Sequence, residues 1–444
     1  MKRIRSIAIA GLLCLPPLIP SPEAQATVLI RDAEIERTLD EISAPILQAA
    51  GLPPSSVEIL LVRDRRLNAF VAGGRNIFLH TGLLIELETV EELLGVIAHE
   101  AGHIAGGHEA RRRINLRNAQ GPALLGLLVG IAAGAVGGGE AAVGIAAGTQ
   151  GAILRSILRN SRAEEAAADQ AGLSYLERAG VNPEGILKVL ERFRGQEVLQ
   201  IGNVDPYVLT HPLGTRRMSL LQRRVAETAG REWPKDPNRD YWHSRLRAKL
   251  EGFLLDPQRV IDDLAGKPET EMVLLAKSVA LFRQRDLRAA VRASDKLIAI
   301  RPNDPFYIEL KGQILLESGE VRASLPYYRK AVQLAPNEPL LKAGLGNALI
   351  QTQDPAFNPE ALRVLKEARD ADLADATALR NLATAYDRAG ENGMANLSTA
   401  ERYALVGNIR SAVPLARRAS AMLPEGSPGW LRAQDILKLE PPED

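Results

Sequence analysis

Three things are scarce in this chain: cysteine, histidine and net charge. The one cysteine, Cys14, falls in an amino-terminal segment expected to be removed, so the mature chain has neither a disulfide framework nor a cysteine metal site. Any metal must then be held by His, Asp or Glu. Lys+Arg 55 against Asp+Glu 54 leaves a net charge of +1, too little field to draw the chain onto nucleic acid or anionic lipid, and no nucleic-acid partner is expected. Hydrophobic residues at 46% and charged ones at 25% are ordinary globular values, which argues against a disordered, collagen-like or polytopic membrane protein. A length of 444 residues predicts about three domains. The six histidines stand at positions 80, 99, 103, 108, 211 and 243, and residues 270–440 contain none, which assigns the chemistry to the front of the chain.

Residues 1–26 read as a secretory signal peptide. Lys2, Arg3 and Arg5 form a basic start, Ile7 to Leu15 an apolar stretch too short to span a bilayer, and Ala24-Gln25-Ala26 a small-x-small cleavage site. Pro16, Pro17 and Pro20 break the helix where an uncleaved anchor would have to continue. Cleavage after Ala26 and residence in an oxidising compartment such as the periplasm are expected, with no cysteine left to oxidise.

Residues 89–108 read TVEELLGVIAHEAGHIAGGH. Thr89 with Glu92 three residues on predicts a capping box, and Leu93, Val96 and Ile97 the apolar side of a helix that carries His99-Glu100-Ala101-Gly102-His103. Histidines at i and i+4 share one face, so both imidazoles can reach one Zn2+, while Glu100 beside them can take the proton of a water. His108, five residues past His103, is rotated off that face on a continuing helix and reads as a solvated helix-end residue. A catalytic zinc needs a third protein ligand and an open fourth position. The downstream run Asn160-Ser161-Arg162-Ala163-Glu164-Glu165-Ala166-Ala167-Ala168-Asp169 offers Glu164, Glu165 and Asp169; Glu165 and Asp169 are one turn apart, so one can bind the metal while the other accepts from a ligating imidazole. Spacing alone does not choose between Glu164 and Glu165.

Residues 122–139, PALLGLLVGIAAGAVGGG, carry no charge, and Gly126, Gly130 and Gly134 repeat at small-xxx-small spacing. Eighteen residues is the lower edge of a membrane span, but Gly137-Gly138-Gly139 followed by Glu140 interrupts it. The stretch 122–151 is read as a close-packed helical hairpin or lid over the active site, with contact to a membrane or membrane protein, and insertion, as the other readings. The back of the chain repeats: Pro302 and Pro336 lie 34 residues apart, Gly312 and Gly346 take the small-residue position of a first helix, and Tyr328 and Ala331 the packing positions of a second. A third unit carries extra residues at Asp354 to Pro359, Ala376 to Gly390 reads as an unpaired helix, and a final unit closes at Pro424. Residues 229–269, opening on Trp233-Pro234-Lys235-Asp236-Pro237, read as a connector with helix around Tyr241 to Phe253. The expected architecture is mainly α, with a signal peptide at 1–26, a zincin-type α+β metallopeptidase domain at 27–268, and an α-solenoid of tetratricopeptide repeats at 269–444.

A helix with HExxH, then Ser161-Arg162, Glu165 and Ala168-Asp169, then His211-Pro212, resembles the HtpX-like zinc peptidases. The resemblance implies Glu165 as third zinc ligand beside His99 and His103, one Zn2+ per chain, Glu100 as general base, and Asp169 behind a ligating imidazole. It further implies that His211 lies close to the zinc as a latch, where a His before Pro would otherwise read as a loop residue. Asn68-Ala69-Phe70, Gly73-Gly74 and Ile77-Phe78 resemble the strands ahead of the active helix, whose edge pairs with extended substrate. Arg216 and Arg217 can face substrate or solvent. A signal peptide with carboxy-terminal repeats narrows the resemblance to the periplasmic BepA-like subgroup. That implies unfolded or misassembled outer-membrane proteins as substrates and the outer-membrane assembly machinery as the partner of the repeats. The rival is a non-proteolytic chaperone or scaffold with a structural zinc, against which Glu100 argues, since a structural site has no use for a general base.

Overall fold

The structure, a computed structural model, describes residues 29–112, 162–194, 206–212 and 214–440. The leader, the 122–151 stretch and Ser161 lie outside the described residues. A four-stranded sheet of order β1-β2-β4-β3 comprises β1 (Leu29–Ile30), β2 (Glu58–Val62), β3 (Ala69–Ala72) and β4 (Asn76–His80). β2 and β4 run parallel, with Leu60 opposite Phe78, and β3 returns antiparallel to β4 through Gly73-Gly74, both at positive φ (70° and 96°), where glycine carries no side-chain penalty. Among the described residues β3 is therefore an edge strand.

The helices that accompany this sheet include α1 (Ala33–Ala49), α2 (Thr81–Glu86), α3 (Val90–Ala105), α4 (Arg162–Arg178), α5 (Glu184–Arg192), α6 (Pro206–Thr210), α7 (Thr215–Ala226), α8 (Pro237–Leu254) and α9 (Pro257–Asp263). α3 starts where the capping signal put it, with Thr89 Oγ1 accepting from Glu92 N at 3.3 Å. Glu92 reaches back one residue further than a capping box requires, to Glu88 N, and is held there by Arg192. Leu93, Val96 and Ile97 join Ile77, Leu79, Leu173 and Ile186 in one core, so α3 is buried between sheet and helices. The predicted α+β domain is present, with the HExxH helix at its centre.

From Glu271 the chain is a series of antiparallel helix pairs: α10 (Glu271–Arg283) with α11 (Leu287–Ile300), α12 (Pro305–Glu317) with α13 (Val321–Leu334), α14 (Pro339–Gln351) with α15 (Asn358–Ala371), then α16 (Ala376–Arg388), α17 (Asn392–Leu405), α18 (Ile409–Met422) and α19 (Pro428–Leu437). This is the expected α-solenoid. A Cβ on Gly312 would lie 3.1 Å from the Tyr328 ring and one on Gly346 2.4 Å from Leu365, which explains the small residue recurring in each first helix. The extra residues of the third unit form a 3-10 turn at Pro355–Phe357. One expectation fails: α16 is not unpaired, because Leu382, Ala385 and Tyr386 pack with Leu349 and Leu365 before it and with Met394 and Ala395 of α17 after it.

The solenoid is joined to the α+β domain by a buried charge cluster that the sequence did not announce. Arg245 of α8 pairs with Glu34 of α1 and, at 2.5 Å, with Asp304 at the start of α12, and its guanidinium lies 3.7 Å from the Tyr307 ring centroid. Lys249, one turn on, reaches Asp32 at 2.8 Å and Glu34 at 3.0 Å. Removing one member of a buried pair leaves its partners unpaired and costs about 3–5 kcal/mol. Arg245→Ala should therefore lower the urea midpoint of the full chain by that equivalent, whereas Arg259→Ala, whose partner Asp263 is exposed, should shift it by under about 1 kcal/mol; equal midpoints for the two variants would refute a joint built on this cluster.

Candidate active site

α3 and α4 approach closely because neither carries a side chain at the crossing. A Cβ on Gly102 would lie 2.8 Å from Ala168 O, and one on Gly172 3.2 Å from the backbone of Ala98. The contact lays the Glu165 and Asp169 face of α4 against the His99 and His103 face of α3. His99 Nε2 is 3.1 Å from His103 Nε2, with Glu165 Oε2 3.4 Å from the first and Oε1 3.3 Å from the second. Glu164, by contrast, is half-buried and takes no part in this convergence.

His211 follows the short helix α6 and points into the same place. Its Nε2 donates to Ala69 O of the edge strand at 3.0 Å, which leaves a lone pair on Nδ1, 3.1 Å from Glu165 Oε1 and 3.3 Å from His99 Nε2. Ring contacts hold it: Tyr207 lies 4.7 Å away between centroids and stacks in turn on Phe193. The loop reading of His211 gives way to a buried position among His99, His103 and Glu165, whose ligating atoms all lie within 4.8 Å of one another.

A cation fits this donor set on two counts. First, Asp169 Oδ1 lies 2.9 Å from His99 Nδ1 and favours a proton there, so a cation that displaces the other proton would find the His99 Nε2 lone pair at the same point as His211 Nδ1 and the Glu165 carboxylate. Second, among the described residues the carboxylates of Glu100, Glu165 and Asp169 are buried here with one buried guanidinium, Arg217, while half-buried Arg112 adds a second positive charge that Glu100 and Glu165 feel, which leaves negative charge in excess. Burial opposes a charge on His99, yet Asp169 and Glu165 outweigh it and hold the imidazole up at about 10, which shows how strongly the carboxylates demand positive charge here. His103, where burial dominates, is pushed down to about 3 and stays neutral. Burial likewise opposes ionisation of Glu165, but His211, His103 and His99 overcome it and keep its carboxyl well below the ordinary range.

Arg217 resolves one choice left open by sequence. Its Nε and Nη2 donate to Asp169 at 2.5 and 2.8 Å and its Nη1 to Glu165 at 2.7 Å, so it is buried behind the site rather than facing substrate, while Arg216 is exposed. Glu100 is fully buried, with Oε1 3.4 Å from His211 Nε2, and neither oxygen accepts a hydrogen bond among the described residues. Burial raises its pKa above the ordinary carboxylate range. His108 corrects the solvated reading: it is buried, with Nδ1 2.8 Å from His103 Nδ1. Nothing in helical periodicity signals this, because α3 ends at Ala105 and the chain turns.

Residues 30–225 match Peptidase family M48. A beta-barrel assembly-enhancing protease of Yersinia pestis is 25% identical over 405 residues, covering 90% of this chain and 82% of its own length. A putative beta-barrel assembly-enhancing protease of Vibrio cholerae is 27% identical over 408 residues, with the same coverage of 90% and 82%. Metalloprotease LoiP of Escherichia coli is 26% identical over 214 residues, 46% of this chain and 76% of its own. A solved structure of MamA covers 36% of this chain and 90% of its own at 21% identity with a TM-score of 0.29, too slight a likeness to add to what the helix pairing shows. The chain is therefore a metallopeptidase, and residues 30–225, the HExxH helix among them, are the part that matches peptidase family M48.

Proposed function

We propose that this metallopeptidase is a periplasmic zinc endopeptidase that acts on unfolded or misassembled outer-membrane β-barrel proteins, with Zn2+ held by His99, His103 and Glu165. The observation that carries the metal reading is the convergence of lone pairs from His99, His103, Glu165 and His211 inside a buried site with surplus negative charge. When bound, zinc supplies Lewis acidity, bringing the pKa of a water towards ~7 and polarising a peptide carbonyl. Asp169 keeps the His99 proton on Nδ1, and Arg217 fixes both carboxylates of α4. Glu100, whose oxygens accept no hydrogen bond among the described residues and whose pKa burial raises, takes a proton from a water and returns it to the leaving amine.

His211 is the latch in this reading. Its Nδ1 shares the ligand set, and its Nε2 holds it to Ala69 O on the edge strand. An extended substrate that adds to β3 competes for that strand's backbone, so substrate pairing and release of His211 are linked. A permanent fourth ligand would instead favour a structural zinc and a chaperone. The partner class rests on the relatives' names and on the solenoid, whose stacked pairs offer an extended surface for a protein segment. The periplasmic location rests on the leader read in residues 1–26. No helix among the described residues is long and apolar enough to cross a membrane. Contact of 122–151 with a membrane stays part of the proposal.

Three tests follow from this mechanism. Glu100→Gln should keep one zinc per chain by elemental analysis and lose casein hydrolysis by at least ~100-fold, since an amide neither takes nor returns the proton; Glu165→Gln should lose zinc and Glu164→Gln should not. Hydrolysis undiminished in the first variant would end the assignment of Glu100. His211→Ala should raise basal proteolysis; a fall would make it a group that assists the reaction. Deleting residues 269–444 should leave zinc binding, because the donors all precede residue 218, while removing Asp304 from Arg245 and lowering the unfolding midpoint. Co-purification with outer-membrane assembly components should be lost; its survival would move docking to the peptidase domain.

A further inference from the structure

His108 is buried against His103 although five residues of regular helix would place it about 140° round the axis. The helix does not continue. Gly106 caps α3, and Gly107 at φ 63° turns the chain left-handed, a conformation glycine adopts without penalty. The turn folds His108 back so closely that a Cβ on Gly106 would lie 2.5 Å from its Nε2. Arg111 Nη2 closes the turn by donating to Gly106 O at 2.7 Å. Glu109, the next residue, accepts from Gly74 N at 2.7 Å and pins the segment to the tip of the β3–β4 hairpin.

We infer that His108 is a positioning residue for His103: its Nδ1 accepts the Nδ1 proton of His103 and thereby fixes the tautomer whose Nε2 electron pair faces His99 and Glu165. The two Nδ1 atoms are 2.8 Å apart and the rings meet edge-on, with centroids at 4.9 Å and planes at 75°. One proton serves that contact. Carried by His108, it would leave His103 to keep its own proton on Nε2, directed at the His99 Nε2 only 3.1 Å away, with no electron pair for a metal. Carried by His103, it frees Nε2. The inference thus rests on the metal reading above, and it makes the α3 site symmetrical: Asp169 orients His99 and His108 orients His103. Because Glu109 is anchored to Gly74, the segment that orients His103 is also tied to the turn of the edge-strand hairpin.

The test compares His108→Asn with His108→Leu in the full chain. The two side chains have nearly the same shape, but only Asn brings an acceptor, Oδ1, to the place of Nδ1. Affinity is read by competing Zn2+ against a chelator, ligand geometry by the visible absorption of the Co2+-loaded protein, and folding by the metal-free thermal midpoint. His108→Leu should bind Zn2+ roughly 10–100-fold more weakly with altered Co2+ bands, and His108→Asn should recover most of both at a similar midpoint. Two variants that bind alike, whether both as tightly as the parent chain or both equally weakly, overturn the positioning role. A parent chain that takes up neither ion overturns the metal reading and this inference together, so the two failures are distinguishable.

Discussion

Three carboxylates buried with a single buried guanidinium set the terms for the front half of this protein. Isolated charge is expensive to bury, and Glu100, Glu165 and Asp169 outnumber Arg217 within one site. A bound cation relieves that excess. His99 shows the same demand, since Asp169 and Glu165 hold its imidazole up against the opposing effect of burial. Much of the local architecture serves to bring these groups together: small residues at the α3–α4 crossing, Arg217 entering from α7, and the α6 turn that carries His211 to the edge strand.

The same physics appears in a different balance at the joint with the solenoid. There Arg245 and Lys249 answer Glu34, Asp32 and Asp304, and the aromatic rings of Trp242, Phe306 and Tyr307 cover the guanidinium. Cation and anion are both supplied by the chain here, and their pairing holds α1, α8 and α12 in one arrangement. A repeat array whose units contact mainly their neighbours would otherwise be free to swing at its first helix. The buried joint transmits the position of the repeats to α1, which packs on the core that holds α3.

Orientation of the two α3 histidines draws on distinct sources. Asp169 comes from a neighbouring helix one turn beyond Glu165, an arrangement with a sequence period behind it. His108 comes from the same chain segment through a left-handed turn. The first device can be anticipated from spacing, the second only by knowing where the helix stops.

Local order was legible because it is written in short periods. Thr89 and Glu92 announced the start of α3, the i and i+4 histidines shared a face by helix geometry, and glycines and prolines at a 34-residue period announced the helix pairs. The choice of Glu165 over Glu164 already required a family pattern, because adjacent residues on a helix differ by rotation that only the packed neighbour makes meaningful. Tertiary structure alone decided the rest. Arg217 turned inward because Asp169 and Glu165 lay buried opposite it, α16 found partners on both sides, and Arg245 met Glu34 and Asp304 across 211 and 59 positions of sequence. His108 became buried because Gly107 let the chain reverse. Such pairings leave no periodic trace, since they depend on which polar groups remain unsatisfied once the apolar faces have packed.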